Sequence, residues 1–131
     1  MNEFRAAVEA GDFAALGDLL ADDVVFRSPV AFKPYEGKAI VAAILRGVGR
    51  VFQEFRYVRE LEDGDELGSA LVFETVVDGV SLNGIDLIRL DADGMIVELT
   101  VMVRPLSAAN ALAAAMAAQF PRIQAEALGD A

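Results

Sequence analysis

The sequence predicts an α+β fold in which N-terminal helices pack on one face of a cone-shaped, curved antiparallel sheet, with a further helix at the C-terminus. Three observations predict this class. Apolar residues in the first third recur at helical spacing, whereas from Phe55 onward they alternate with polar residues. Asp-Gly pairs, which favour tight hairpin turns, separate the alternating segments. A run of hairpin strands that follows helices indicates a sheet covered on one face.

The first third predicts three helices. The first stops at Gly11, and Asp12 is placed to cap the second, which is expected to end at Asp22-Asp23. The third follows Gly37 and has apolar residues at helical spacing over residues 40–52.

Strands and a last helix account for most of the remainder. A short strand is expected at residues 24–26, and the four strands of the antiparallel meander near 54–62, 66–77, 80–91 and 95–104. The last helix runs through Phe120, and Pro121 is expected to begin a frayed tail. The chain is therefore assigned to one domain of residues 1–131, with a core of about 2–120 and a tail of 121–131.

Two-residue turns at Asp78-Gly79 and Asp93-Gly94 predict which residues face each other across the meander. The predicted facing pairs are Leu71–Asp86, Phe73–Gly84, Asp86–Val101, Ile88–Leu99 and Leu90–Val97. One side of the sheet, the apolar face, then holds Ser69, Leu71, Phe73, Thr75, Leu82, Gly84, Asp86, Ile88, Leu90, Val97, Leu99, Val101 and Val103. Asp86 is the only charged residue in that set.

A single carboxyl on an apolar face is costly if it is ionised and unpaired, because burial disfavours the charged form. One reading is structural: Asp86 bonds to a backbone amide, a tyrosine or a buried water. The other is functional: Asp86 lines a cavity as a neutral hydrogen-bond donor or as a base. Tyr35, Tyr57 and Thr75 are candidates for a hydroxyl near that cavity, or for ordinary boundary residues.

The opposite side, the mixed face, combines charged and apolar residues. Arg89 is expected to meet Glu98, and Glu74, Asn83 and Arg104 fall in one row across three strands. A half-apolar face with paired charges suits a subunit contact, so we expect a homodimer through this face.

Composition argues against several classes of partner and site. The net charge is −10, from 21 acidic and 11 basic residues, so nucleic-acid and membrane partners are not expected. The chain has no Cys and no His, which removes thiol chemistry and the commonest metal ligand, and we expect neither a metal site nor a cofactor. Because the N-terminus has no signal-like pattern, the cytoplasm is the expected location.

Three stretches carry a family resemblance: AGDFAALGDLLADDVVFRSPV, YEGKAIVAAI and GIDLIRLDADGMIVEL. In this order they resemble the nuclear transport factor 2-like superfamily, specifically its ketosteroid isomerase and SnoaL-like polyketide cyclase branches. The resemblance covers roughly residues 4–104. It implies a conical fold that encloses a pocket for a small, largely apolar molecule, and in many members a dimer.

The resemblance also implies roles for individual positions. Asp86 matches the aspartic acid of the steroid isomerase oxyanion hole, a carboxyl kept neutral by its apolar site. The tyrosine of that hole falls at Phe4, and the proton-shuttling aspartate at Ser28, so two positions depart from the pattern. The cyclase triplet of His, Trp and Asp falls at Leu99-Thr100-Val101, which departs from it entirely.

Two main functions follow as hypotheses, beside a third, a protein-binding adaptor like the transport member of the superfamily. The first is a pocket protein for a small apolar molecule, an isomerase, cyclase or lyase that transfers a proton next to a carbonyl. Its catalytic candidate is Asp86, as donor or base, with Ser28 and Tyr35 as secondary candidates. The second is a non-catalytic ligand-binding or dimerisation module. The expected pocket lining consists of Phe4, Leu16, Phe26, Phe52, Leu71, Phe73, Ile88, Leu99 and Val101.

Overall fold

Helices bracket a six-stranded sheet in the computed structural model, which describes residues 2–129. The helices within these residues are α1 (Glu3–Ala10), α2 (Phe13–Asp18), α3 (Lys38–Val51) and α4 (Leu106–Gly129). The strands are β1 (Leu20–Arg27), β2 (Tyr35–Glu36), β3 (Gln53–Glu62), β4 (Gly68–Val77), β5 (Val80–Leu90) and β6 (Ile96–Arg104). The predicted α+β class is confirmed.

The strand order across the sheet is β2-β1-β6-β5-β4-β3. Strands β3 to β6 pair with their sequence neighbours in antiparallel fashion, so the predicted meander is confirmed. Strand β1, however, pairs in parallel with β6, with Phe26 beside Leu99. The sheet is therefore mixed rather than wholly antiparallel. The chain passes through β2, α3 and the first three strands of the meander before β6 lies beside β1 in the same direction.

The tight turn at Asp78-Gly79 is confirmed. Both residues have positive φ, 49° and 79°, as this kind of hairpin turn requires. The register that it sets places Leu71 beside Asp86 and continues without a shift to Gly68, the first residue of β4. Asp86 therefore lies on the apolar face, as the sequence predicts.

The turn at Asp93-Gly94 is longer than predicted. The Asp91 amide donates to the Met95 carbonyl, and one Asp91 carboxylate oxygen accepts from the amides of Asp93 and Met95. This loop shifts the register after Arg89, so that Leu90 pairs with Ile96 and the predicted Leu90–Val97 pair is wrong. Ile96 is accordingly buried in place of Val97, whereas the Asp86–Val101 and Ile88–Leu99 pairs are confirmed.

The first helix stops at Gly11 and the second begins after Asp12 as predicted, but the second ends early. The Asp12 carboxylate caps α2 by accepting from the Ala15 amide at 3.0 Å. The helix ends at Asp18 rather than at Asp22-Asp23. The chain then enters β1, and the Ile96 amide of the neighbouring strand donates to the Leu19 carbonyl. Short apolar segments fit either structure, and here sheet pairing decides between them.

Beyond Pro121 the chain remains helical to Gly129, so the predicted frayed tail at 121–129 is wrong; residues 130–131 lie outside the described range. Ile123 is fully buried, at 0% exposure, and Glu126 pairs with Arg50 at 3.0 Å. A Cβ at Gly47 would lie 2.6 Å from the Ile123 side chain, so α3 and α4 approach closely at this glycine. These contacts offset the hydrogen bond that Pro121 cannot donate.

The core lies between the apolar face and the helices. Leu71, Val77 and Leu99 from the sheet are fully buried, as are Val41 from α3 and Ala108 from α4. Within the described residues, no helix is both long and apolar enough to cross a membrane.

Candidate functional site

A cavity of about 250 Å³ lies between the apolar face of the sheet and the helices. Its walls are aromatic and aliphatic, with contributions from α1, α3 and α4. Within residues 2–129, four side chains bring polar atoms to the lining: Ser28, Tyr35, Tyr57 and Asp86. Among the described residues that line the cavity, Asp86 is the only acid.

Asp86 is 8% exposed and sits in the middle of β5. The Tyr57 hydroxyl donates a hydrogen bond of 3.0 Å to its Oδ2 atom. Burial raises the pKa of Asp86 to about 7, and the bond from Tyr57, which favours the charged form, opposes that rise. At neutral pH both protonation states of this carboxyl are therefore populated.

Tyr57 is held in place by aromatic neighbours. Its ring is perpendicular to those of Phe55 and Phe73, with centroids 4.8 Å and 6.4 Å away. Burial, and then the charge of Asp86, raise the pKa of Tyr57 well above its ordinary value. The phenol thus stays protonated and remains a hydrogen-bond donor to Asp86.

The ring of Phe73 occupies space that a larger residue at position 84 would fill. A Cβ at Gly84 would lie 2.3 Å from the Phe73 Cζ atom, closer than any real contact. Gly84 faces Phe73 across β4 and β5, and Phe73 in turn faces Tyr57 on β3. Gly84 therefore leaves room for the Phe73 ring, which in turn packs against the side chain of Tyr57.

Ser28 follows directly after β1, where Arg27 pairs with Thr100. The next position along β6 is Val101, which pairs with Asp86, so Ser28 is level with the acid at a distance of two strands. The Ser28 hydroxyl oxygen accepts from the Val30 amide at 3.1 Å, which leaves its own proton free to donate. No base contacts this hydroxyl among the described residues, so Ser28 is suited to donate a hydrogen bond rather than to remove a proton.

Tyr35 lines another part of the cavity, on the short edge strand β2. Its ring stacks on Phe26, with centroids 6.4 Å apart, and lies 5.7 Å from the ring of Phe120. Strands β2 and β3 form opposite edges of the sheet, so Tyr35 and Tyr57 approach the cavity from different sides. Thr75, the remaining hydroxyl candidate, is buried in the core and donates to the Gln53 carbonyl.

The structure places five of the nine expected lining residues along the cavity. Phe4, Leu16, Phe26, Phe52 and Val101 line the cavity.

The structure places Leu71, Phe73, Ile88 and Leu99 in the packed core instead. Their side chains are on the predicted face, but neighbouring side chains cover them. Phe73, for example, is packed against Phe52 and Phe55, which themselves line the cavity.

Sequence reasoning missed two contributions to the site. Helix α4 supplies Leu112, Met116 and Phe120 to the cavity wall; their regular four-residue spacing was a signal for a buried face, though not for which cavity it faces. The choice of Tyr57 as the partner of Asp86 was also missed, although a tyrosine was among the expected partners and Tyr57 among the candidate hydroxyls. The sequence does not fix the position of β3, because the register shifts between Tyr57 and Arg59 and the link from Asp63 to Gly68 is longer than a tight turn.

The fold and this site define the class of protein. The family model described as "SnoaL-like domain" matches residues 1–99, and the chain belongs to this family. Its fold is that of the nuclear transport factor 2-like superfamily, as the resemblance of its sequence motifs implies.

Solved structures give the particular relatives. A steroid Δ-isomerase from Pseudomonas aeruginosa is 41% identical, with a TM-score of 0.88 over 94% of this chain and 90% of that chain. An uncharacterised bacterial protein with a cystatin-like fold from Silicibacter pomeroyi is 35% identical, with a TM-score of 0.83 over 95% and 91%. A proposed polyketide cyclase from Pseudomonas putida, 21% identical with a TM-score of 0.63 over 82% and 90%, shares the fold. No match was found among curated proteins.

Proposed function

We propose that the chain is an isomerase that binds a small, largely apolar carbonyl compound in the cavity and moves a double bond by proton transfer next to the carbonyl. One observation carries this proposal: Asp86 is the single carboxyl among the described residues of an apolar cavity, with a pKa of about 7 and a phenol on one of its oxygens. The 41% identity to a steroid Δ-isomerase supports the reaction class.

The Tyr57 bond distinguishes the two oxygens of Asp86. Because Oδ2 accepts from the phenol, Oδ1 is the oxygen left to carry the proton. As a carboxylate, Asp86 removes a proton from the carbon next to the carbonyl, so that a C–H bond breaks and an O–H bond forms. The resulting enolate takes the proton back at a different carbon, which shifts the double bond and restores the carboxylate. A group with a pKa near the working pH suits both steps.

Hydrogen-bond donors near the carbonyl oxygen lower the barrier to the enolate. The free proton of Ser28 and the hydroxyl of Tyr35 are the candidates for this role in the cavity. Asp86 itself would play it if the neutral acid, rather than the carboxylate, is the active form.

The cavity also limits the ligand. Its volume of about 250 Å³ is just below the range of roughly 300 Å³ and upward that encloses a drug-sized ligand. The substrate is therefore compact, or part of it remains outside the cavity mouth.

A panel of small unsaturated ketones, followed by the ultraviolet absorbance of the conjugated product, tests the proposal. The parent protein is expected to isomerise at least one of them, and Asp86→Asn to lose roughly 10²- to 10⁴-fold in rate. Glu74→Gln, on the mixed face, is the matched control and should retain full activity. Equal rates for Asp86→Asn and the parent would refute the role of Asp86.

The dependence of the isomerisation rate on pH shows which form of Asp86 is active. If the carboxylate acts as a base, the rate rises as pH increases through 7; if the neutral acid donates a hydrogen bond, the rate falls over the same range.

A non-catalytic ligand-binding module is the second candidate. The observation that favours it is the presence of a single acid in the cavity, with a serine rather than a base at the end of β1. In that case ketones of the panel bind with saturable affinity but are recovered unchanged, and Asp86→Asn alters affinity alone.

We also propose that the protein is a homodimer through the mixed face. Leu61, Leu87 and Met102 are 49%, 37% and 55% exposed there, among ion pairs such as Arg27–Glu98. Sedimentation at micromolar concentration tests this: a dimer that Met102→Glu dissociates supports it, and a monomeric parent contradicts it. The cytoplasmic location stays a prediction.

A further inference from the structure

We propose that Arg5 is a positioning residue whose guanidinium packs over the ring of Tyr57 and keeps the phenol hydroxyl on Asp86. The Arg5 Cζ atom lies 5.6 Å from the centroid of that ring. Arg5 is not among the residues that line the cavity, so it acts through Tyr57 rather than on a ligand. The inference rests on the proposed role of Asp86.

Two ion pairs hold the guanidinium in this place. Its Nε atom is 3.3 Å from a carboxylate oxygen of Glu9, one turn along α1, and its Nη1 atom is 3.1 Å from one of Glu60 on β3. The helix is itself tied to the sheet nearby, because the Asn2 side chain caps it and donates to the Ser69 hydroxyl. Arg5 thus bridges α1 to the strand that carries Tyr57.

The surroundings of Tyr57 explain why such a bridge matters. Phe55 and Phe73 meet the ring at right angles, and Arg5 covers one of its faces. A ring that left this position would carry its hydroxyl away from Asp86 and lose the 3.0 Å bond. The guanidinium fills the space over one face of the ring and is attracted to it, so it favours the orientation in which the bond forms.

Loss of Arg5 would affect Asp86 by two routes that must be separated. Among the described residues, Tyr57 is the titratable group that bonds to Asp86, and Arg5, Glu9 and Glu60 gather around Tyr57. Removal of a positive charge raises the pKa of Asp86 directly, and displacement of Tyr57 raises it by weakening the hydrogen bond. Only the second route disappears when Tyr57 has no hydroxyl.

Carbon-detected NMR titration of Asp86 in the ligand-free protein separates them by a double-mutant cycle. Tyr57→Phe is expected to raise the pKa of Asp86 by about 1 unit. Arg5→Met should raise it by roughly 0.3 to 0.7 units. In the Tyr57→Phe background, Arg5→Met should raise the pKa of Asp86 by clearly less, because only the direct effect of the lost charge remains. Arg27→Met, which breaks the exposed pair with Glu98, is the matched control and should leave the titration unchanged.

Two results would overturn the positioning role: no shift on Arg5→Met, or the same shift with and without the Tyr57 hydroxyl. Arg5→Lys keeps the charge but loses the planar group; a shift in this variant supports the proposal even if Arg5→Met folds poorly, and an unchanged titration contradicts it. Because every titration is made without ligand, failure of the isomerase proposal in the ketone assay is recognised separately.

Discussion

The apolar face and the mixed face of the same sheet hold their acids in different ways. On the apolar face, Asp86 is 8% exposed and meets a neutral phenol. On the mixed face, the side chains of Glu74 and Glu98 are 43% and 51% exposed and pair with Arg56 and Arg27. Water and arginine surround the acids of the mixed face, whereas burial without a cation raises the pKa of Asp86 to about 7.

This difference shows that side-chain chemistry alone does not make a functional group. The pleat sends alternate residues of β5 to opposite environments, so Asp86 and Arg89, three positions apart, end on opposite faces. Burial on the apolar face raises the pKa of Asp86 into the neutral range, which is the kind of shift that suits the proposed proton transfer.

The largest expected effect tests the packing of the two faces. Phe73→Ala should lower the free energy of unfolding by about 3 to 5 kcal/mol, because Phe73 is buried against Phe52, Phe55 and Tyr57. Met102→Ala, at an exposed site, should change it by less than about 0.5 kcal/mol in the monomer. Urea unfolding measures both, and comparable losses would mean that the faces are packed alike.

The pH dependence of stability tests the electrostatic side of the comparison. The pKa of Asp86 is raised in the folded protein from 3.8 to about 7, so the native state binds more protons than the unfolded state between these values. The contribution of Asp86 to the free energy of unfolding is therefore fully present below pH 3.8. It falls by about 4 kcal/mol as pH rises to 7.

Asp86→Asn should remove this dependence, while Glu74→Gln should leave it intact. Unfolding curves for the parent and both variants at several pH values provide the measurement. An Asp86→Asn curve parallel to that of the parent across this window would show that Asp86 is not held near neutrality.

A smaller loss is expected at the end of α4. Ile123→Ala should lower the free energy of unfolding by about 3 kcal/mol, since Ile123 is fully buried beyond Pro121. Leu128→Ala, at a site 78% exposed on the same helix, is the control. If Ile123→Ala were as mild as the control, the segment would be the frayed tail that the sequence predicted.

The smallest effect is expected from the ion pairs of the mixed face. Arg56→Ala should cost about 0.2 to 1 kcal/mol of stability, because both partners of the Arg56–Glu74 pair are solvated. The loss should shrink further in 0.5 M salt. A loss of several kcal/mol would indicate a buried network there, and a loss that depends on protein concentration would point to the proposed dimer contact.

The fold could be predicted almost completely, because its signals are local. Asp12 caps a helix through its own carboxylate, and Asp78-Gly79 turns a hairpin through its own backbone angles. One error was local, since the Asp91 carboxylate lengthened the turn at Asp93-Gly94. Others occurred where a distant contact decided the outcome. Pairing with β6 ended α2 early, and burial of Ile123 carried α4 past Pro121.

The sequence by itself determined that Asp86 is the acid of the apolar face, since alternation and one tight turn are enough to assign a residue to a face. Only the tertiary structure decided what that acid meets. Tyr57 reaches it from two strands away, Arg5 covers Tyr57 from the first helix, and α4 closes the cavity from the far end of the chain. Register follows from short-range turn geometry, whereas such contacts depend on how separate elements pack, which no local pattern records.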